Sequence, residues 1–199
     1  MQTRLMTLAL AALLAAPVFA QQSQPSPQPN AAPKEGSVND RRTDQQDRIA
    51  NGVQSGQLTA GETKRLEGRE ANLNREVRSD RQANGGRLTA QERQQVNRQQ
   101  NNVSHSIYRD KHNAAQAHYG NNEVGQRREN QQDRIANGIR NGSMTAGQTA
   151  RTENREQGIN RQVHADRAAN GGRLTGQQRR QINRRQNRTS RQIYHQKHS

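Results

Sequence analysis

The sequence predicts an all-α protein: two homologous three-helix units, each a short helix followed by a long antiparallel helical hairpin, behind a disordered leader. The first observation is a gapless duplication that relates residues 42–113 to residues 128–199 at an offset of 86, with 42 identities in 72 positions. The second is a helix-start phrase that occurs four times, and the third is an apolar spacing typical of helices. No proline follows Pro33 to interrupt these helices.

The first twenty residues have the layout of an export signal. Arg4 supplies a positive charge, residues 5–16 form an apolar run too short to span a membrane, and Val18-Phe19-Ala20 offers the small residues of a cleavage site. We therefore expect an exported protein, periplasmic or secreted, that starts at residue 21. Residues 21–39 place four prolines among Gln and Ser, which predicts a disordered leader.

Each turn before a long helix contains the same phrase. A Thr takes the N-cap position, and a Glu or Gln three residues later completes a capping box. The Gly that precedes each phrase suits the left-handed residue that ends the helix before it. The predicted N-caps are Thr59, Thr89, Thr145 and Thr175.

The first unit is expected to cover residues 40–113. Its first helix is predicted over about 40–54, where the Asn51-Gly52 pair favours an early end. The second helix, about 60–82, and the third, about 90–112, both carry apolar residues at i, i+7 and i+11. These residues are Leu66, Leu73 and Val77 on the second helix and Val96, Val103 and Ile107 on the third.

The second unit is expected to cover residues 128–199, after a flexible linker at 114–127. At its matching positions Thr152 and Thr189 replace aliphatic residues, so we expect the second unit to be the looser one. Each long helix has only a narrow row of apolar residues on one face, which predicts that it needs a packing partner to be stable. Stacking of the two units and assembly into a homodimer both stay open at this point.

The residue types argue against catalysis. The chain has no cysteine, no G-x-S-x-G nucleophile elbow and no phosphate-binding G-x-x-x-x-G-K-[ST] loop. Its acidic residues are scattered among arginines, which favours solvated helix faces and not a pair of carboxylates in an apolar pocket. We therefore expect neither an enzyme nor a cofactor, and no transmembrane segment after the signal.

Two weak metal signals occur. Counting back from Glu62 as the last position of a calcium loop places Asn51 first, but Val53 stands where a third-position ligand belongs. His195 and His198 lie three residues apart, yet Arg109 stands at the position in the first unit that matches His195. Both patterns favour structural or surface roles, so no metal ligand is predicted.

Charge is unevenly distributed along the chain. The whole sequence has a formal net charge of +15, and from Arg173 to the end there are seven Arg and one Lys with no acid. The candidate binding residues follow helical spacing as a cationic stripe: Arg180, Arg184, Arg188 and Arg191. Like charges at this spacing repel one another, which favours a surface for anionic envelope polymers or for unfolded protein clients. The alternative is an arginine-rich composition without a binding role, since Arg outnumbers Lys 28 to 4 over the whole sequence. Specific nucleic-acid recognition is not predicted, because aromatic side chains for stacking are nearly absent.

Each unit ends with a tyrosine beside its last apolar residue. Tyr108 follows Ile107 and Tyr194 follows Ile193. We expect each ring to pack over the open end of its hairpin and to leave its hydroxyl in water.

Met144-Thr145-Ala146-Gly147-Gln148 and Leu174-Thr175-Gly176-Gln177-Gln178 resemble the L-T-x-x-Q motif of the Spy- and CpxP-like periplasmic proteins. That resemblance implies a small, exported, all-helical protein that dimerises into a basic cradle and acts as an ATP-independent chaperone or stress regulator. The phrases at 58–62 and 88–92 end in Glu and depart from the motif. More of the chain resembles exported bacterial helical-repeat proteins with L-T-x-x-E and L-T-x-x-Q motifs, a resemblance that implies no activity.

The favoured hypothesis is a non-catalytic envelope protein that binds anionic or unfolded partners and acts in a chaperone-like way. One alternative is a degenerate calcium-responsive protein, which a calcium titration followed by circular dichroism tests. Another alternative is a structural protein whose helices self-associate.

Overall fold

The structure is a computed structural model that describes residues 35–198, with side chains described from Val38 onward. This part of the chain is all-helical, as predicted, and contains six helices and no strand. The predicted export signal and residues 21–34 of the predicted leader lie outside the described residues. The helices are α1 Glu35–Gln54, α2 Ala60–Ala83, α3 Ala90–Lys111, α4 Glu123–Arg140, α5 Ala146–Ala169 and α6 Gly176–Lys197.

The four threonines stand at the helix starts. Thr59, Thr89, Thr145 and Thr175 are the N-caps of α2, α3, α5 and α6, and each forms a reciprocal capping box. Glu62 shows the geometry: its Oε2 accepts from the Thr59 N–H at 2.9 Å, while the Glu62 N–H donates to Thr59 Oγ1 at 3.4 Å. These reciprocal bonds satisfy backbone donors that a helix start otherwise leaves unpaired.

Two boundaries differ from the prediction. α1 starts at Glu35, inside the predicted leader, because Val38 is buried against α2 and α3 and its carbonyl accepts from Gln100 Nε2 at 2.8 Å. α4 starts at Glu123, inside the predicted linker, and Val124 is buried in the same way. In both repeats the first helix is therefore longer at its start than the hydrophobic spacing suggested.

α1 ends at Gln54, the predicted end, and the Asn51-Gly52 pair does not shorten it. Gly52 is needed for packing and not for a turn: a Cβ at Gly52 would lie 2.7 Å from Leu58 Cγ and Cδ1. The matching Gly138 on α4 has the same relation to Met144, also at 2.7 Å. The missing side chain lets the residue after each turn fold back onto its own helix.

The two repeats pack against each other as a pseudo-symmetric pair. α2 lies against α5 and α1 against α4, while α3 covers the first repeat and α6 the second. Lys64 bonds to Asn154 and Ala71 faces Gly147, so α2 and α5 run antiparallel. An antiparallel contact between equivalent helices is the arrangement that a twofold dimer would have.

One central core contains residues of both repeats. It joins Ile49, Ala50, Val53, Leu58, Leu66, Val103 and Ile107 with Ile135, Ala136, Ile139, Met144 and Ile193. A smaller core lies at the far end of each repeat, around Val77 in the first and Val163 in the second. The largest apolar core thus exists only because the repeats are in contact.

Both threonines that replace aliphatic residues in the second repeat are buried with a hydrogen bond. Thr152 Oγ1 donates to Gln196 Oε1 at 3.0 Å, and Thr189 Oγ1 donates to the Arg185 carbonyl at 3.2 Å.

In the part of the chain from residue 35 to 198, no helix is apolar over a length that would cross a membrane.

Replacing Gly52 by alanine should destabilise the protein. The added Cβ forces Leu58 out of its place, and overpacking of this kind costs about 1–3 kcal/mol. The matched control is Gly68→Ala in α2, where nothing lies within 4 Å of the new Cβ. That variant should gain roughly 0.5–1 kcal/mol of stability from the better helix propensity.

Urea unfolding of both variants and of the parent protein measures these changes. Equal effects of the two substitutions would show that Gly52 is an ordinary helical glycine and that its contact with Leu58 is unimportant.

Candidate functional site

The cationic stripe of α6 lies on the outer surface. Ile182, Gln186, Thr189 and Ile193 are the buried residues of this helix and fix its inner face. The stripe lies on the opposite face, because each of its arginines is two residues away from one of these buried positions. The four residues are Arg180, Arg184, Arg188 and Arg191. All four are exposed, and within residues 35–198 none forms an ion pair with a carboxylate.

The stripe continues into an aromatic pair at the end of α6. The Tyr194 ring stacks on the His198 ring with centroids 4.3 Å apart, and 55 % of Tyr194 is exposed. Tyr108 stacks on His112 in the same way and is 65 % exposed. The prediction that these rings pack over the hairpin ends was therefore wrong, because each ring packs on a histidine and remains in solvent.

The equivalent surface of α3 lacks the stripe. Subtracting 86 from the four positions gives Gln94, Arg98, Asn102 and His105, which are also exposed. Only one of these residues is an arginine. The two repeats have the same fold, so the stripe is a property added to one of them and not a requirement of the helical hairpin.

The residues of the calcium-like phrase have other roles in the structure. Asn51 and Val53 belong to α1, so the segment before Glu62 is not an open loop. Glu62 Oε2 accepts from Thr59, and Glu62 Oε1 accepts from Asn113 Nδ2 at 2.7 Å. Among residues 35–198, no group of three or more His, Asp or Glu side chains is arranged to hold a metal ion. His198 Nδ1 lies 2.7 Å from the Tyr194 carbonyl and His195 is exposed.

Besides the capping residue Glu62, four glutamates of the long helices α2 and α5 are buried, contrary to the prediction of solvated acidic residues. They are Glu67 and Glu70 on α2 and the equivalent Glu153 and Glu156 on α5. Gln46 donates to Glu67 and Gln132 donates to Glu153, both at 3.3 Å. Neither carboxylate oxygen of Glu70 or of Glu156 has a hydrogen-bond partner. A carboxylate without partners in such a place is costly, which favours the protonated acid.

Burial raises the pKa of all four carboxyl groups. It raises the pKa of Glu67 to about 8 in spite of the hydrogen bond from Gln46, and Glu70 adds to the rise. Burial raises the pKa of Glu70 to about 7, although Arg42 and Arg48 oppose it.

The second repeat shows the same pattern. Burial raises the pKa of Glu156 to about 7 against the opposing charges of Arg128 and Arg185. Burial, reinforced by Glu156, also raises the pKa of Glu153 well above its ordinary value. In this conformation the four groups are closed to solvent, so they can hold protons but have no contact with an external substrate.

The hydrophobic spacing contained the signal for part of this cluster. Leu66 and Leu73 are seven residues apart, and Glu70 lies between them at the position that completes a buried 66-70-73-77 stripe. Glu156 occupies the same place between Thr152 and Ile159. Composition alone assigned these carboxyl groups to the surface, whereas their position within the stripe indicates burial.

Comparisons of the chain with models of protein families, with curated proteins and with solved structures found no match.

The free energy of unfolding should fall as the pH rises from about 4.5 to about 8. In this interval the folded protein keeps protons on the buried glutamates, whose ordinary pKa is 4.5, and the unfolded chain has released them. Stability is therefore greatest below the ordinary pKa and is lost as the folded-state groups are forced to ionise. Urea titrations at several pH values measure this dependence.

Glu67→Gln should make the dependence shallower by up to about 1.4 kcal/mol per pH unit, since one fewer proton is retained on folding. The exposed Glu129→Gln is the control and should leave the dependence unchanged. A stability that stays level or increases across this interval would contradict the assignment of protonated buried acids.

Proposed function

We propose that this chain is a non-catalytic, exported binding protein whose α6 face attaches to phosphate-bearing lipids of the cell envelope. One observation carries the proposal: four exposed arginines lie on one face of α6 and have no carboxylate partner in the described part of the chain. The proposed location rests on the N-terminal signal pattern, which lies outside the described residues.

The stripe is suited to phosphate groups. A guanidinium donates two parallel hydrogen bonds to one phosphate and remains charged at any physiological pH. Four like charges at helical spacing repel one another, and a bound polyanion removes that repulsion. Binding energy is thus available at this face without any change in the fold.

The described surface favours an anionic partner over an apolar one. Tyr108 and Tyr194 are the exposed large hydrophobic residues of this part of the chain, and both are stacked on histidines. A chaperone that captures clients by their apolar segments needs a wider apolar surface. We therefore place phosphate-bearing envelope lipids ahead of unfolded clients as the ligand.

The test is sedimentation of the chain 21–199 with vesicles that contain phosphatidylglycerol, with phosphatidylcholine vesicles as the neutral reference. Binding should be restricted to the anionic vesicles and should weaken with added salt. Each basic residue near an anionic surface contributes about 1 kcal/mol. The combined Arg180→Gln, Arg184→Gln, Arg188→Gln and Arg191→Gln variant should therefore bind on the order of a hundredfold more weakly or worse.

The matched control removes the same charge from exposed positions elsewhere: Arg87→Gln, Arg98→Gln, Arg155→Gln and Arg161→Gln. It should keep most of the affinity. Equal losses of vesicle affinity in the two variants would mean that net charge alone drives binding, and that the stripe is not the binding site. Protection of a denatured client by a chain that ignores anionic vesicles would favour the chaperone hypothesis instead.

A further inference from the structure

A second basic surface lies between the repeats, away from α6. It is a groove of about 840 Å³ formed by α1, the second half of α2 and the turn between α4 and α5. Val77, Ile139 and Met144 form its apolar floor. Its rim contains six arginines: Arg42, Arg75, Arg78, Arg81, Arg140 and Arg151.

The rim is electrostatically unbalanced. Asp47 is the one acidic residue that lines the groove within the described chain. Arg140 donates to the side chains of Asn51 and Gln54, which are neutral. Arg42, Arg78 and Arg151 are exposed, and within residues 35–198 they form no ion pair. The groove therefore presents cations to an incoming group and retains an apolar base.

The duplication provides a second copy of this groove for comparison. A pocket of about 250 Å³ on the opposite side is lined by the equivalent residues of the other repeat. The equivalent pairs are Thr145 and Thr59, Ala146 and Ala60, Arg42 and Arg128, Gln46 and Gln132, Asn74 and Asn160, and Arg78 and His164. Six matched pairs identify the two cavities as versions of one site.

The second copy is occupied by the chain itself. Residues 116–119, from the segment between α3 and α4, line it directly. The Ala117 N–H donates to the Gly56 carbonyl at 2.8 Å, which attaches this non-helical segment to the turn between α1 and α2. The Tyr119 ring lies over Arg128, with the guanidinium carbon 5.2 Å from the ring centroid. Arg128 is 9 % exposed beneath this covering.

The groove around Arg42 has the same attachment points, and no segment of residues 35–198 fills it. Gly142 is the equivalent of Gly56, and no N–H in residues 35–198 donates to its carbonyl. Arg42 is the equivalent of Arg128; it is exposed, and no aromatic ring of residues 35–198 lies over it. The occupied copy thus shows what this framework accepts: a non-helical backbone, a small side chain and, two residues later, an aromatic ring.

We propose that the groove around Arg42, Arg78 and Gly142 binds an extended acidic peptide segment of another protein, with an aromatic side chain stacked on Arg42. The backbone N–H two residues before the aromatic residue donates to the Gly142 carbonyl, as Ala117 does to Gly56. Acidic side chains of the segment pair with Arg78 and Arg151, which explains why this copy has Arg78 where the filled copy has His164. The site is separate from the α6 face and does not depend on its function.

The probe is a fluorescein-labelled peptide that copies residues 114–121 with Gln116→Glu and His118→Glu. Fluorescence anisotropy should show saturable binding to the chain 21–199. A peptide with Lys at the same two positions should bind at least tenfold more weakly, and so should the acidic peptide with Tyr119→Ala. Equal binding of the Lys peptide, or no loss with the Tyr119→Ala peptide, would overturn the proposal.

Variants of the protein locate the site. Arg42→Gln with Arg78→Gln should reduce affinity for the acidic peptide at least tenfold, whereas Arg87→Gln with Arg98→Gln should not. The fourfold α6 variant should retain peptide binding, so failure of the groove and failure of the α6 face are distinguishable. Loss of peptide binding in the α6 variant would contradict the proposal.

A second measurement covers the case in which the double groove variant folds poorly. The acidic peptide is made with a photoreactive benzophenone side chain in place of Tyr119 and is irradiated with the unmodified protein. Crosslinks should map to α1 and to the second half of α2, around Arg42 and Arg78. Crosslinks on α6, or crosslinks spread evenly over the surface, would overturn the assignment.

Discussion

Glutamine side chains that donate to the backbone of a neighbouring helix determine how the helices of each repeat are placed. Gln45 Nε2 donates to the Gln100 carbonyl at 2.7 Å, and Gln100 Nε2 donates to the Val38 carbonyl at 2.8 Å. The same two bonds occur in the second repeat, from Gln131 to the Gln186 carbonyl and from Gln186 to the Val124 carbonyl. All four glutamines are buried, and a buried amide that lost its partner would cost about 1–3 kcal/mol. These bonds fix where α3 and α6 lie on the helices beneath them, in a chain with few apolar side chains.

The apolar side chains that remain are concentrated where the repeats meet. The central core draws on both repeats, and α2 of the first repeat also packs against α5 of the second. Ile49, Leu66 and Ile107 of the first repeat belong to the same core as Ile135 and Ile193 of the second, so each repeat completes the apolar core of the other. The segment between α3 and α4 then packs into one of the two equivalent grooves, and this contact makes the two sides of a nearly symmetric molecule different.

The sequence predicted the features of the fold that depend on interactions between residues close together in the chain. The Thr-x-x-Glu and Thr-x-x-Gln phrases act through bonds between residues three apart, so α2, α3, α5 and α6 start where they were expected. The start of α1 was misplaced because Val38 is held by Gln100, which lies 62 residues away. The contact of α2 with α5 was left open for the same reason: it joins distant segments through side chains of ordinary type.

The candidate sites also differ in whether they are formed by one stretch of sequence or by several distant stretches. The stripe from Arg180 to Arg191 is a pattern within one helix and was visible in the sequence. The groove around Arg42 combines α1, α2 and the turn before α5, so no single stretch of sequence shows it. The buried glutamates lie between these cases, because Glu70 falls within the periodic stripe but its acidic character argued for solvent.

Those glutamates also change what the net charge of this protein means. The formal value of +15 treats every carboxyl group as ionised. Folding shifts the pKa of Glu67, Glu70 and Glu156 to about 7 or 8, so near neutral pH the native protein is more cationic than its own unfolded chain. A net charge at neutral pH that is calculated from the sequence therefore describes the unfolded chain, and the folded molecule carries more positive charge at that pH.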